Sequence, residues 1–87
     1  MVDENEVRRK RLLYRSSYTG TKETDVLLGA FAKRHLDGLT SEQLDQYEHL
    51  MTIEDPRLYK WITGQEHPPE EFDSEVLAMI KNFDLNA

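Results

Sequence analysis

The chain has 87 residues, no cysteine and a formal net charge of −6. That length gives room for one domain, and the lack of cysteine excludes disulfides, cysteine-ligated zinc, iron–sulfur clusters and thiol nucleophiles. Residues 1–41 contain eight basic and six acidic side chains, whereas residues 42–87 contain three and eleven, and this acidic balance argues against nucleic-acid binding and favours a protein partner.

The first six residues, Met1-Val2-Asp3-Glu4-Asn5-Glu6, are acidic. An acidic start is unlike a secretory signal and unlike an Arg-rich transit peptide. No apolar run approaches the roughly 20 residues that cross a bilayer, so we expect no direct membrane insertion. These features predict a protein of the bacterial cytoplasm. The alternative is the mitochondrial matrix, if the sequence is that of a mature form.

Apolar residues recur with the 3.6-residue period of α-helices, and most of the four glycines and three prolines fall between the periodic stretches. The pattern predicts a single all-α domain over residues 1–87, folded as a compact antiparallel five-helix bundle. We expect the helices at about 4–18, 22–36, 41–53, 56–63 and 70–84.

The first two helices differ in the strength of their apolar pattern. Helix 1 can begin with Asp3 and Glu6 as a capping pair, but its periodicity is the weakest of the five. Its apolar and aromatic positions are Val7, Leu12, Leu13, Tyr14 and Tyr18. Helix 2 has a clear face formed by Leu27, Leu28, Phe31, Ala32 and His35. Glycine at position 29 costs about 1 kcal/mol relative to alanine, which predicts a close helix crossing or backbone approach there; the alternative is an indifferent surface glycine.

Capping signals mark the later helices. Thr40 and Gln43 predict a capping box before helix 3, and Asp55 with Pro56 at the first helical position predicts the start of helix 4. Gly64 is expected to end helix 4, and a stiff proline pair precedes helix 5. The predicted core positions of these helices are Leu44, Tyr47, Leu50, Met51, Leu58, Trp61, Ile62, Phe72, Val76, Met79, Ile80 and Phe83.

The sequence offers little for catalysis. His35, His49 and His67 lie on three separate segments, without the spacing that places two metal ligands on one helical face. No glycine-rich phosphate loop is present, and no serine has the strand-turn-helix context of a nucleophile elbow. We therefore expect no catalytic residue, no metal site and no stably bound cofactor, and an enzyme is the least supported class.

The segment 18–25, between helices 1 and 2, is the candidate contact surface. Gly20 permits a tight turn and the close approach of another molecule, because glycine has no Cβ. Glu23 and Asp25 lie near the start of helix 2. Their position is explained equally well by contact with a partner and by a favourable interaction of acidic groups with the helix dipole. The basic run 8–11 is either a solvated stretch or a surface that steers an acidic partner. These residues alone indicate a small helical interaction domain.

Several motifs then occur in a specific order: Arg11-Leu12-Leu13-Tyr14-Arg15-Ser16, Gly20-Thr21-Lys22-Glu23-Thr24-Asp25-Val26-Leu27-Leu28-Gly29-Ala30-Phe31, Leu39-Thr40, Tyr47, and Asp55-Pro56-Arg57-Leu58-Tyr59-Lys60-Trp61. Over roughly residues 8–83, their order and spacing resemble the succinate dehydrogenase assembly factor 2 family, the small flavinator proteins of bacteria and mitochondria. The resemblance implies a five-helix bundle.

The resemblance also implies a function. Such a factor would bind the flavoprotein subunit of succinate dehydrogenase, or of fumarate reductase in some bacteria, and promote covalent attachment of FAD to a histidine of that client. FAD would belong to the client, whose own chemistry forms the bond, so the factor would act by positioning and not as an enzyme. We expect it to be a monomer when free. The alternative is a helical adaptor or regulator of a different protein.

A client-binding site is the last implication of the resemblance. It would comprise Arg15, Tyr18, Thr19, Gly20, Lys22, Glu23 and Asp25. The family signature is Arg-Gly-x-x-Glu, which Gly20 and Glu23 match, but Thr19 stands at the arginine position. Threonine lacks the permanent charge and the five donors of a guanidinium, so we expect this departure to impair client binding and flavinylation.

Overall fold

A computed structural model of the chain describes residues 4–53 and 56–84. In these ranges the regular structure is helical throughout, which confirms the all-α prediction. The α-helices are α1 (Glu4–Ser16), α2 (Lys22–His35), α3 (Ser41–Leu50), α4 (Arg57–Ile62) and α5 (Glu75–Lys81). Two 3₁₀ helices, Leu36–Gly38 and Glu70–Phe72, follow α2 and precede α5. Within the ranges described, no helix is both long and apolar enough to cross a membrane.

Local signals at the ends of α3 and α4 agree with the sequence. The Thr40 hydroxyl accepts the Gln43 N–H at 3.1 Å, and the Gln43 side chain accepts the Thr40 N–H at 3.0 Å, which confirms the capping box. Beyond α4, Gly64 has a φ of +80°. Its N–H donates to Trp61 and that of Gln65 donates to Lys60, the paired bonds of a Schellman turn.

The last helix is shorter than predicted. Instead of one helix over 70–84, the structure has a 3₁₀ helix and then α5, which begins only at Glu75. The reason is Ser74, whose hydroxyl accepts the Leu77 N–H at 3.2 Å and so caps a new helix. Phe72 and Val76 have the four-residue spacing of a helical face and mask this interruption in the sequence.

Other predicted boundaries also change. Pro56 is the cap residue of α4 and not its first helical residue. The predicted caps Asp3 and Asp55 lie outside the described residues. α1 and α3 end two and three residues earlier than expected, at Ser16 and Leu50, because turns replace their last helical residues.

One core joins the helices. α1 packs on α2 and α3, and α5 packs on α3 and α4. Every predicted core position of α3 and α4 is buried, with Trp61 and Tyr47 the largest fully buried side chains. The antiparallel orientation of neighbouring helices stays a prediction.

Helix α1 buries few of its apolar and aromatic positions. Of the five named from the sequence, only Leu12 is buried, and its buried companion is Ser16, one turn later. The other four are exposed large hydrophobic side chains: Val7, Leu13, Tyr14 and Tyr18. The weak periodicity of this helix therefore has a physical cause, because its large side chains point in several directions.

Candidate functional site

The end of α1 is anchored inside the core by a serine. Ser16 is fully buried, its Oγ donates to the Leu12 carbonyl at 2.7 Å, and it shares a hydrogen bond with the Tyr47 hydroxyl of α3. Burial raises the pKa of Tyr47 to about 12, against the lowering effect of the bond to Ser16. The phenol is therefore neutral at physiological pH, and the chain leaves the core at a fixed point, residue 17.

Helix α2 passes close to this point. A Cβ built on the buried Gly29 would lie 3.1 Å from Ser17 Oγ, which is tighter than an ordinary van der Waals contact. Gly29 is therefore not a surface glycine, but the group that approaches it is the Ser17 side chain and not the backbone of a crossing helix. Glycine here lets α2 pack against the start of the connection from α1.

The connection is closed by a carboxylate. The N–H and the hydroxyl of Thr19 donate to Asp25 Oδ1 at 2.5 and 2.6 Å. The hydroxyl, then the N–H of Thr19, and less strongly the N–H of Gly20, hold the pKa of Asp25 below its usual range. Gly20 has a φ of +131°, a conformation that side chains disfavour. We call residues 18–25, with this Thr19–Asp25 link, the junction.

Two charged side chains stand at the open edge of the junction. Lys22 and Glu23 are exposed, and neither side chain has a hydrogen-bond or ion-pair partner in the part of the chain that the structure describes. Both border a groove of about 570 Å³ whose other walls are Val26 and Leu27 of α2 and Tyr59 and Thr63 of the α4 region. The site therefore combines two available charges with a partly apolar groove.

The remaining predicted site residues lie on the α1 side. Arg15 Nη2 donates to the Met51 carbonyl at 3.3 Å, so its guanidinium contacts the C-terminal end of α3. Tyr18 is 65% exposed. Six of the seven predicted residues therefore lie on the junction, and Arg15 lies one turn before it. Gly20 and Glu23 are exposed, as a contact surface requires, but client binding by the seven stays a prediction.

Two of the four residues of the basic run of α1 serve the fold. Arg8 forms ion pairs with Asp45 and Glu48 of α3. Arg9 donates to the carbonyls of Leu36 and Leu39 at 3.1 and 2.9 Å. These contacts fasten α1 to α3 and to the C-terminal end of α2, so a purely solvated stretch is the wrong description for them.

The histidines have aromatic neighbours. His49 stacks on Phe72 with ring centroids 4.2 Å apart, and His35 lies 4.9 Å from Phe31 and 5.7 Å from Phe83. Among the residues described, no group of three His, Asp or Glu side chains could hold a metal ion. His67 is exposed.

Val26 and Tyr59 complete the groove and were not predicted from the sequence. Val26 lies beside the predicted core position Leu27, yet it is 49% exposed. Tyr59 follows the buried Leu58 within the motif that ends at Trp61. The motif could have indicated Tyr59 as a candidate site residue. The position of Tyr59 opposite α2, however, depends on how α2 and α4 pack.

Comparison with known proteins identifies similar sequences. The chain is 41% identical over 81 residues to "Succinate dehydrogenase assembly factor 2, mitochondrial" of Dictyostelium discoideum, covering 93% of this chain and 57% of that protein. Proteins of the same name from Danio rerio and Meyerozyma guilliermondii are 39% and 40% identical, with 93% and 87% of this chain covered and 52% and 59% of theirs.

The chain spans about half the length of these curated relatives. A family model described as "Flavinator of succinate dehydrogenase" matches residues 10–84. This match includes the junction, the groove and the core described above. The chain therefore belongs to the flavinator of succinate dehydrogenase family.

Proposed function

We propose that this chain is an assembly factor that binds the flavoprotein subunit of succinate dehydrogenase and promotes covalent attachment of FAD to it. The fumarate reductase subunit is a second proposed client in bacteria. Membership of the flavinator family and the names of the relatives support the client class. The main support for the binding site is the pair Lys22 and Glu23. Both side chains are exposed and have no hydrogen-bond or ion-pair partner among the described residues, and the backbone of the junction beside them is bonded to Asp25.

The proposed mechanism is positioning without chemistry by the factor. The Asp25 carboxylate accepts two hydrogen bonds from Thr19. Glu23 is therefore the acidic side chain of the junction that is available to a cationic group on the client. FAD stays with the client, which forms the flavin bond itself. A factor that binds the reactive client conformation about tenfold more tightly than other conformations raises its population ratio by the same factor.

Co-expression with a succinate dehydrogenase flavoprotein subunit tests this function. The measurements are covalent flavin, by in-gel fluorescence after denaturing electrophoresis, and the dissociation constant of the purified pair. We expect more fluorescence with the factor than without it. The absence of a complex at micromolar concentration would contradict the proposal. Capture of another protein from a lysate, with no flavoprotein, would favour the helical adaptor instead.

The role of Glu23 has a matched control within the chain. Glu23 and Glu42 are both exposed, and each is the second residue of its helix after a threonine cap. Replacement by glutamine removes the same interaction with a helix dipole in both cases, worth about 0.3–1 kcal/mol. We expect Glu23→Gln to weaken client binding about tenfold, as for loss of a charged interface partner, while Glu42→Gln binds like the wild type.

The proposal extends to oligomeric state and compartment. The free chain is proposed to be a monomer, which light scattering coupled to size exclusion measures directly. Its compartment is proposed to be the bacterial cytoplasm, with the mitochondrial matrix as the alternative; the relatives are named as mitochondrial proteins. Fractionation of the source cells, with an antibody against the chain, separates the two.

A further inference from the structure

Helix α1 carries a line of large side chains on the side that faces away from the core. Val7, Arg11 and Tyr14 are spaced by four and three residues, which places them along one side of a helix. Tyr18 follows four residues later, in a turn held by its N–H donating to the Arg15 carbonyl at 3.1 Å. At 3.6 residues per turn, the buried Leu12 and Ser16 lie on the opposite side. We call Val7, Arg11, Tyr14 and Tyr18 the outer stripe.

Folding of the chain leaves the outer stripe uncovered. Tyr14 is 68% exposed, Tyr18 is 65% exposed and Val7 is 40% exposed. The two tyrosine rings contact each other instead, with centroids 4.7 Å apart. A contiguous apolar patch on the surface of a small protein marks an interaction site more often than isolated exposed side chains do.

The outer stripe carries one charge, the cation of Arg11, and Glu4 and Glu48 line the depression that also contains Val7 and Arg11. Arg8 and Arg9 are used within the fold, and Lys10 lies 3.9 Å from Glu6. Arg11 is exposed, and its side chain has no hydrogen-bond or ion-pair partner among residues 4–53 and 56–84. The complementary surface would be an apolar groove bordered by carboxylates, since opposite charges across an interface favour association.

Symmetric pairing of two copies fits this surface poorly. It would bring Arg11 towards its own equivalent, and like charges repel. The acidic half of another copy offers a groove of about 590 Å³ that includes Glu75, Met79 and Phe83, but Met79 and Phe83 are only partly exposed. A second copy docked in that groove is the alternative occupant, and the oligomeric state of the wild type distinguishes it from the client.

We propose that the outer stripe is a second contact with the flavoprotein client, in which α1 lies in an apolar groove edged by acidic side chains. This inference rests on the proposed function. Tyr18 belongs both to the stripe and to the junction, so one continuous client surface can cover the two. An amphipathic helix that places residues at intervals of three and four into a groove is a recurrent form of protein recognition.

The test uses the purified chain and a succinate dehydrogenase flavoprotein subunit in titration calorimetry. The double variant Val7→Ser/Tyr14→Ser leaves every junction residue unchanged. We expect it to bind about tenfold or more weakly, as loss of an aromatic anchor does. Arg11→Glu should also weaken binding about tenfold, whereas the matched reversal Lys81→Glu, at an exposed position of α5, should change it by less than about twofold.

The outcomes separate the two proposals. If the wild type does not bind the subunit at all, the proposed function fails. If the wild type binds and both stripe variants bind equally well, the stripe proposal is overturned while the proposed function stands. A wild-type dimer that Arg11→Glu converts to a monomer would identify a second copy as the occupant and would also overturn it. Thermal unfolding by circular dichroism checks that the exposed substitutions leave the fold intact.

Discussion

Thr19, which the resemblance places at the arginine position of the family signature, forms its hydrogen bonds within the chain. Its hydroxyl and its N–H both end on Asp25, so the threonine stabilises the junction. An arginine here would keep the backbone bond to Asp25, because that bond does not involve the side chain. It would lose the hydroxyl bond and add a cation at the edge of the candidate site.

We therefore predict that Thr19→Arg strengthens binding of the flavoprotein subunit. A guanidinium that pairs with a buried client carboxylate contributes on the order of 2 kcal/mol or more, about thirtyfold in the dissociation constant. Thr19→Gln is the control, since it adds length and donors without charge. Titration calorimetry measures both. An unchanged or weaker affinity of the arginine variant would show that this position does not act as the signature suggests.

A second residue-scale prediction concerns Gly29 and Ser17. Alanine at position 29 gains about 1 kcal/mol of helix propensity, but its Cβ would crowd Ser17 Oγ. We expect Gly29→Ala to stabilise the chain more in a Ser17→Ala background than in the wild type, because the crowding oxygen is then absent. Urea unfolding of the four proteins gives the coupling free energy. Equal effects in the two backgrounds would mean that the contact carries no strain.

At the scale of single helices, the ends that were predicted correctly are those marked by capping residues close to them in the sequence. The start of α3 and the end of α4 depend on residues within one turn of each other, and both were predicted correctly. The interruption before α5 depends on whether Ser74 caps a new helix, and the apolar spacing around it fits either outcome. The buried face of α1 was not predicted, because periodicity identifies large side chains without showing which of them a neighbouring helix covers.

The capping box of α3 should contribute measurably to the free energy of unfolding. Thr40→Ala removes the oxygen that accepts the Gln43 N–H and should destabilise the chain by about 1 kcal/mol. Thr40→Ser keeps an oxygen at the same place and should lose much less. Urea unfolding at neutral pH measures both variants. Equal losses for alanine and serine would assign the effect to the threonine methyl group and not to the cap.

At the scale of the whole molecule, burial of the Tyr47 phenol couples the stability of the fold to alkaline pH. An unfolded tyrosine has a pKa of about 10, whereas burial raises that of Tyr47 to about 12. Between these values the unfolded chain binds fewer protons than the folded chain, so stability falls as the pH rises. The stabilisation is fully present below pH of about 10 and is lost through about 12.

The expected loss from this one group is about 2–3 kcal/mol, at about 1.4 kcal/mol per unit of pKa shift. Chemical unfolding between pH 9 and about 12 measures the slope, and Tyr47→Phe removes the contribution of this phenol from it. Ser16 keeps its bond to the Leu12 carbonyl in that variant. An identical slope for the two proteins would show that Tyr47 ionises no later in the folded state than in the unfolded state.

The candidate site was predictable in part. Residues 18–25 are adjacent in sequence, so a single turn brings them together, and the glycine and acids of the segment indicated a contact surface. Tyr59 joins them only because α4 packs near α2, and the sequence does not specify that arrangement. Val7, Tyr14 and Tyr18 of the outer stripe are among the apolar and aromatic positions named for helix 1, but their exposure depends on α2 and α3 covering only the other side.

Three contacts within the chain hold the junction in place. Ser16 is fastened to α3, Ser17 lies against Gly29, and Asp25 closes the loop at Thr19. A preorganised contact surface loses little conformational entropy when a partner docks. The binding free energy is then not reduced by the cost of ordering a loop. Binding at this surface should therefore need no preceding conformational change of the junction, so that such a step does not limit the association rate.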